Sequence, residues 1–217
     1  MLNVSESDGR RKMKVIGLTG GVGAGKSTVL SVLDRHDYIR VIEADKVGHL
    51  VMEPGTQGYE RVCRRFGTGI LRADGTIDRG LLAGEVYADK TKLWDLNAII
   101  HPAVKKYIRQ EIENTKRDGN IKIFVIEAAL LIEDHYEEIC DEFWYVYADT
   151  DARMKRLKDS RGYSDEKTKS VMDNQLPDEA FREKCARVID NSGSPGDTAA
   201  QVETLLDKLL LEEAVAE

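Results

Sequence analysis

Short apolar runs alternate with stretches of helical spacing along this chain. Val15–Thr19 is a compact apolar run ending at glycine, the mark of a buried strand. From Lys26 to about His36, Val29, Leu30 and Leu33 fall on one helical face. "YIRVIEAD" (Tyr38–Asp45) predicts a second strand ending in acids, and "IKIFVIEAALLIE" (Ile121–Glu133) contains a third. "EFWYVYAD" (Glu142–Asp149) predicts a fourth and "ARVIDN" (Ala186–Asn191) a short fifth. Ser192–Gly196 reads as a turn, and Val202, Leu205, Leu206, Leu209 and Leu210 mark a closing helix. Strands alternating with helices imply an α/β fold, with a parallel sheet covered on both faces.

The connection between the second and third strands is too long for a simple crossover. Roughly Gln57 to Lys116 is helical in pattern, with expected breaks at "FGTGI", "ADGTID" and "HP". A crossover needs only about a dozen residues, so residues 56–118 are expected to form an inserted helical domain. The core is then expected over 13–55, 119–150 and 186–210, with a helical lid over 151–185 and a tail over 211–217. Because "MKVIGLTGG" begins a strand cleanly at Met13, residues 1–12 are expected to be a disordered extension, with Met13 as an alternative start of translation.

Composition narrows the classes. A length of 217 residues suits one domain carrying a large insertion, and 41% hydrophobic residues suffice for a core. A net charge of −7 argues against non-specific binding to nucleic acid or an anionic membrane. No apolar run approaches the roughly 18 residues of a membrane span, and the N-terminus lacks a signal-peptide core. Cys63, Cys140 and Cys185 are scattered without metal-ligand spacing. They read as small hydrophobes in a reducing cytoplasm. A cytoplasmic monomer or small homo-oligomer is the expectation.

Five glycines lie between Gly17 and Gly25, a costly run to order. Their spacing explains them. Gly20-x-x-x-x-Gly25-Lys26-Ser27 is the complete P-loop pattern, set between a predicted strand and a predicted helix. Gly21, Gly23, Ala24 and Gly25 would turn backbone N–H groups toward phosphate oxygens at a helix N-terminus. Lys26 would reach the β- and γ-phosphates, Ser27 would hold Mg²⁺, and Thr28 would touch the α-phosphate. The dinucleotide pattern G-x-G-x-x-G fails on spacing, since the third glycine would fall at Lys26 or Thr28. The expected ligand is a nucleoside triphosphate, ATP. No N-K-x-D segment points to guanine, and a small core with a helical insert suits a kinase acting on a small acceptor.

Asp45 follows the second strand, at the carboxyl end of the sheet where such folds bind ligands. Two roles stay open for it: base for an acceptor hydroxyl, or helix N-cap. Its neighbour Glu43 competes for the first. Glu127 ends "IFVIE" and is a candidate Mg²⁺ ligand, directly or through water, or else a plain cap; Glu133 is a second acid nearby. Arg153, Lys155, Arg156, Lys158 and Arg161 crowd one stretch. Arg156 and Arg161 are the choice for lid cations that neutralise charge in phosphoryl transfer, with the others on the surface.

The order of motifs resembles the dephospho-CoA kinase family. "IGLTGGVGAGKST", "VIEAD", "FGTGILRADGTIDRGLL", the His101–Pro102 step, "ALLIE", "RLKDSRGYS", Asn174–Gln175 and "CARVIDNSG" follow one another from about Met13 to Leu210. Ala129 stands where that family usually has proline, and Arg187 falls in its usual Ala-Asp position. The resemblance implies transfer of the γ-phosphate of ATP to the ribose 3′-hydroxyl of dephospho-CoA, with Mg²⁺. It implies a nucleotide-binding core, an acceptor-binding helical domain and a mobile lid. Asp45 matches the family's base and Lys26 its phosphate lysine. In the inserted domain Arg79 and His101 are the acceptor candidates, Arg79 because a pyrophosphate suits a bidentate arginine. For His101 a local helix-start role before Pro102 is the equal alternative. Tyr59, Phe66, Trp94 and Tyr107 would line the acceptor pocket or pack the core. Two rivals remain, a nucleoside monophosphate kinase and a nucleotide-sensing regulator.

Overall fold

The computed structural model describes residues 13–87 and 89–215. The extension expected over 1–12 lies outside the described residues. Five strands, β1 (Lys14–Thr19), β2 (Ile39–Glu43), β3 (Ile123–Glu127), β4 (Glu142–Tyr147) and β5 (Arg187–Asp190), form one sheet in the order β2-β3-β1-β4-β5. β1 is parallel to both its neighbours, with Gly17 opposite Ile126 on one side and Phe143 on the other. β4 is parallel to β5, with Tyr145 opposite Val188. The helices are α1 (Lys26–Leu33), α2 (Ala44–Leu50), α3 (Gln57–Phe66), α4 (Arg79–Tyr87), α5 (Lys90–Asp118), α6 (Thr150–Arg161), α7 (Asp165–Asp173), α8 (Asp178–Lys184) and α9 (Pro195–Val215).

The chain divides into two compact units, one of residues up to 41 with those from 115 onward, the other of residues 42–114. In the first unit the sheet is apolar on both faces, as a covered parallel sheet must be. Ile16, Leu18, Val125, Trp144 and Val146 pack on one face against Val29 and Leu33 of α1 and Val202, Leu206 and Leu209 of α9. Each such fully buried side chain contributes about 1.5–3 kcal/mol. Trp144 is buried with its polar handle satisfied, Nε1 donating to Glu142 Oε1 at 2.7 Å. A methyl group on Gly17 would lie 2.4 Å from the Phe143 ring, so the strand glycine makes room for that ring. Tyr145, on β4, stacks on Phe181 of α8 with centroids 4.6 Å apart. β1 is central, with chain connections leaving to either side, which makes its carboxyl end the switch point where ligands bind.

The second unit has its own small core of Val62, Ile70, Ile77, Leu82 and Ile99. An antiparallel bridge between Leu71 and Ile77 closes a tight turn, with Gly75 at φ +83°. Asp78 caps α4 by accepting from the N–H groups of Gly80 (2.8 Å) and Leu81 (3.1 Å). The Leu81 bond foremost, with the Arg72 side chain next, holds its carboxyl below the usual range.

Several boundaries differ from expectation. The "HP" step does not break the helical stretch: α5 runs unbroken over 29 residues with Pro102 inside it. Proline forfeits the bond from its own nitrogen, and so long a helix retains the bonds on either side. β2 stops at Glu43, and α2 starts at once at Ala44. α9 continues past residue 210 to Val215, so the tail expected over 211–217 is helical over its described part.

Candidate active site

The loop from Gly20 to Gly25 joins the end of β1 to the start of α1. Gly23 and Gly25 have φ of +78° and +83°, a region that penalises any Cβ. Gly25 is the N-cap of α1, which has neither a side-chain cap bond nor an acid in its first turn. The positive end of this helix is thus uncapped, as an anion site requires.

The loop carbonyls are gripped from outside. Asn191 Nδ2 donates to Ala24 O at 2.7 Å and to Gly25 O at 3.3 Å. Arg156 NH1 also donates to Ala24 O, at 3.2 Å, and NH2 to Asn191 O at 2.6 Å. Arg153 Nε donates to Val22 O at 2.9 Å, while Val22 N donates to Gln175 Oε1 at 2.9 Å. In a trans peptide the C=O and the following N–H point in opposite directions. Outward carbonyls at Val22, Ala24 and Gly25 therefore turn the N–H groups of Gly23, Gly25 and Lys26 to the other side, the concave face of the loop. Lys26 bends back over that loop, with Nζ 3.0 Å from Gly20 O and 3.5 Å from Glu127 Oε1. Its side chain is 16% exposed and that of Glu127 12%.

Asn191 is the hinge pin of this arrangement. It is buried, and its Oδ1 accepts from Thr198 Oγ1 at 2.7 Å. Asn191→Ala would remove the shorter of the two bonds to the Ala24 carbonyl, which keeps Arg156 NH1 at 3.2 Å, and would leave the Thr198 hydroxyl only its 3.3 Å bond to Ser194 O, a loss of about 1–3 kcal/mol in all. We expect the melting temperature to fall by roughly 4–10 °C, with ATP affinity falling alongside. A melt within about 1 °C of wild type would refute this role.

Other expected residues fall as follows. Ser27 is exposed and Thr28 half-buried, both in the first turn of α1. Ser27 and Glu127 offer a hydroxyl and a carboxylate oxygen, a small set of hard donors of the kind Mg²⁺ takes when phosphates and water complete its shell. Among the described residues no cluster of three or more His, Cys, Asp or Glu forms a protein cage for a metal. Arg161 is exposed at the last position of α6. It lies five positions beyond Arg156 in the helix, which turns the two to different faces. Arg153, expected on the surface, is instead half-buried, because its position three before Arg156 gives it the loop-facing side. Burial pulls its pKa below the ordinary arginine value, opposed by Tyr145 and Asp178 beside it.

Asp45 is exposed in the first turn of α2. The N-cap of that helix is Glu43, so Asp45 is not a cap. Glu43 is paired with Lys46 Nζ at 2.6 Å. Arg79 opens α4 and lines a cavity of about 480 Å³ within the second unit, with His49, Met52, Arg72, Asp74 and Thr76. His101 lies inside α5, not at a helix start. Tyr59 and Phe66 pack on the second core, Trp94 is exposed, and Tyr107 lines a separate cavity of about 390 Å³. Glu133 is exposed. Cys140 and Cys185 are buried, and burial pushes both thiols up to about 12, so they are inert small hydrophobes.

Gln175 and Arg153 are site residues that sequence reasoning passed over. "NQ" was visible as a motif, but nothing local to it points at a loop 153 positions upstream.

A family model for dephospho-CoA kinase matches residues 14–197. The chain is 38% identical over 191 residues to a dephospho-CoA kinase of Symbiobacterium thermophilum, covering 88% of this chain and 79% of that one. It is 37% identical over 196 residues to that of Carboxydothermus hydrogenoformans, covering 90% and 94%. Among solved structures, one from Thermus thermophilus superposes with TM-score 0.74 at 28% identity, covering 92% of this chain and 97% of that one. A shikimate kinase from Bacteroides thetaiotaomicron, at TM-score 0.54 and 14% identity over 91% and 99% of the two chains, shares the fold.

Proposed function

Because the chain belongs to the dephospho-CoA kinase family, whose reaction is the last step of coenzyme A synthesis, we propose that its loop presents ATP to the ribose 3′-hydroxyl of dephospho-CoA, with Asp45 as the base. Asp45 accepts the hydroxyl proton as the 3′-oxygen bonds to the γ-phosphorus. The bond from that phosphorus to the β,γ-bridging oxygen breaks, and ADP leaves. The loop N–H groups and Lys26 stabilise charge on the phosphate oxygens, from a site organised before the ligand arrives. Ser27 and Glu127 would hold Mg²⁺, which would neutralise phosphate charge. Thr28 binds the α-phosphate.

Arg156 brings a fixed cation to the loop's flank, and Arg161 supplies a second one from the lid. In the second unit the cavity containing Arg79 takes the acceptor's pyrophosphate, and His101 contributes a further polar contact on α5. The observation that carries this reading is the glycine loop itself, with its carbonyls pinned outward and Lys26 folded over it. Among the described residues no helix is long and apolar enough to cross a membrane. We place the enzyme in the cytoplasm, as a monomer or small homo-oligomer that binds neither membrane nor nucleic acid.

The test is ADP release from Mg·ATP with dephospho-CoA, AMP, CMP and UMP offered in parallel. Release with dephospho-CoA alone is the expected result. Release with a monophosphate would make this a nucleotide kinase, and release with none would leave a nucleotide sensor.

A further inference from the structure

The glycine loop faces a problem that its sequence does not solve. Gly20, Gly21, Gly23 and Gly25 give it great freedom in the unfolded chain, and holding each residue in one conformation has an entropic cost. Affinity for phosphate depends on the loop being held ready. Asn191 and Arg156 hold its C-terminal half at Ala24 and Gly25. The crest at Val22 is gripped by a different pair.

Arg153 Nε takes the Val22 carbonyl and Gln175 Oε1 takes the Val22 N–H, both at 2.9 Å. The two side chains also meet each other, Arg153 NH2 donating to Gln175 Oε1 at 3.0 Å. A closed ring of hydrogen bonds therefore surrounds one residue of the loop. Gly21 is shaped to it: a Cβ there would lie 2.6 Å from Arg153 NH2 and 3.1 Å from Gln175 Oε1. The Arg153 guanidinium is half-buried and neighbours Asp178, whose Oδ2 accepts from Arg182 Nε at 2.6 Å.

We propose that Arg153 and Gln175 are positioning residues for nucleotide binding, which by gripping Val22 on both its polar groups hold the Gly23 N–H toward the phosphates. The inference rests on the nucleotide-binding reading of this loop. It also ties α6 and the segment after α7 mechanically to the loop crest, so that a displacement of either is felt at the phosphate site.

The test uses the full chain and isothermal titration with Mg·ATP, with melting temperature as a folding check. Gln175→Ala, which removes the acceptor of two of the ring's three hydrogen bonds, weakens ATP binding roughly three- to tenfold, and Arg153→Ala, which also takes away the charged donor to the Val22 carbonyl, weakens it about tenfold or more. The double variant binds within about twofold of Arg153→Ala, because both side chains act on one residue. Gln175→Glu keeps the acceptor oxygen in place and restores affinity to within roughly threefold of wild type. The KM for dephospho-CoA stays unchanged throughout, which a general loss of structure would not allow. Wild-type affinity in both alanine variants would overturn the proposal, as would a Gln175→Glu variant no better than Gln175→Ala. The titration needs no acceptor, so a protein that binds ATP yet phosphorylates no dephospho-CoA sinks the proposed function without deciding the clamp.

Discussion

Replacing Lys26 with alanine is expected to lower kcat between about a hundredfold and a thousandfold, a loss of roughly 3–4 kcal/mol of transition-state stabilisation. The ammonium is anchored to Gly20 O at 3.0 Å and stands 3.5 Å from Glu127. With both side chains largely shielded, the pair sits where charges interact strongly; at an effective dielectric near 20, two charges about 4 Å apart are worth about 4 kcal/mol. Removing the lysine has two consequences. The phosphates lose a cation, and the Glu127 carboxylate is left to repel them. Lys26→Arg would not rescue the reaction, since a broad planar guanidinium cannot occupy the space of a compact ammonium folded over the loop. Steady-state kinetics with saturating Mg·ATP and dephospho-CoA give the answer. Turnover within about fivefold of wild type would remove Lys26 from the chemistry.

Asp45→Asn is expected to cost about a hundredfold or more in kcat, within the range that general-base removal produces. The KM for ATP should move little, because the phosphate loop is untouched. Asp45 sits in the first turn of α2 behind an N-cap supplied by Glu43, so the substitution leaves the helix start intact. The melting temperature should stay within about 2 °C of wild type. This split between unchanged stability and lost turnover distinguishes a base from a structural acid. Retention of most of the rate would leave Asp45 without a catalytic task, and Glu43, tied to Lys46 at 2.6 Å, would be a poor substitute for it.

The outer grip on the loop also changes how the lid cations are understood. Arg156 was singled out for contact with transferring phosphate, yet its guanidinium rests on the carbonyls of Ala24 and Asn191. A cation so placed does two things. It holds the Ala24 carbonyl away from the phosphates, which turns the Gly25 N–H toward them, and it ties the turn after β5 to the loop through the Asn191 carbonyl. Arg161 is the more exposed of the pair and the freer to approach a bound nucleotide.

What the sequence by itself determined was what depends on neighbours in the chain. Alternation and apolar runs located all five strands, because a parallel strand buried on both faces needs an unbroken apolar stretch. The interval from Gly20 to Lys26 was enough to place a phosphate loop, because its chemistry is confined to one strand end, one turn and one helix start. Local signals misplaced the edges. Ala44 and Asp45 read as the end of the second strand but open α2, and Pro102 reads as a break but lies inside α5, since neither position reveals how well the surrounding helix is held. Tertiary structure alone decided the rest. Arg153 finds Val22 across 131 positions and Asn191 finds Ala24 across 167, and no periodicity links such partners. Spacing reveals which residues share a face of one element; which backbone group that face meets is fixed only when the sheet, α6 and the turn after β5 have packed together.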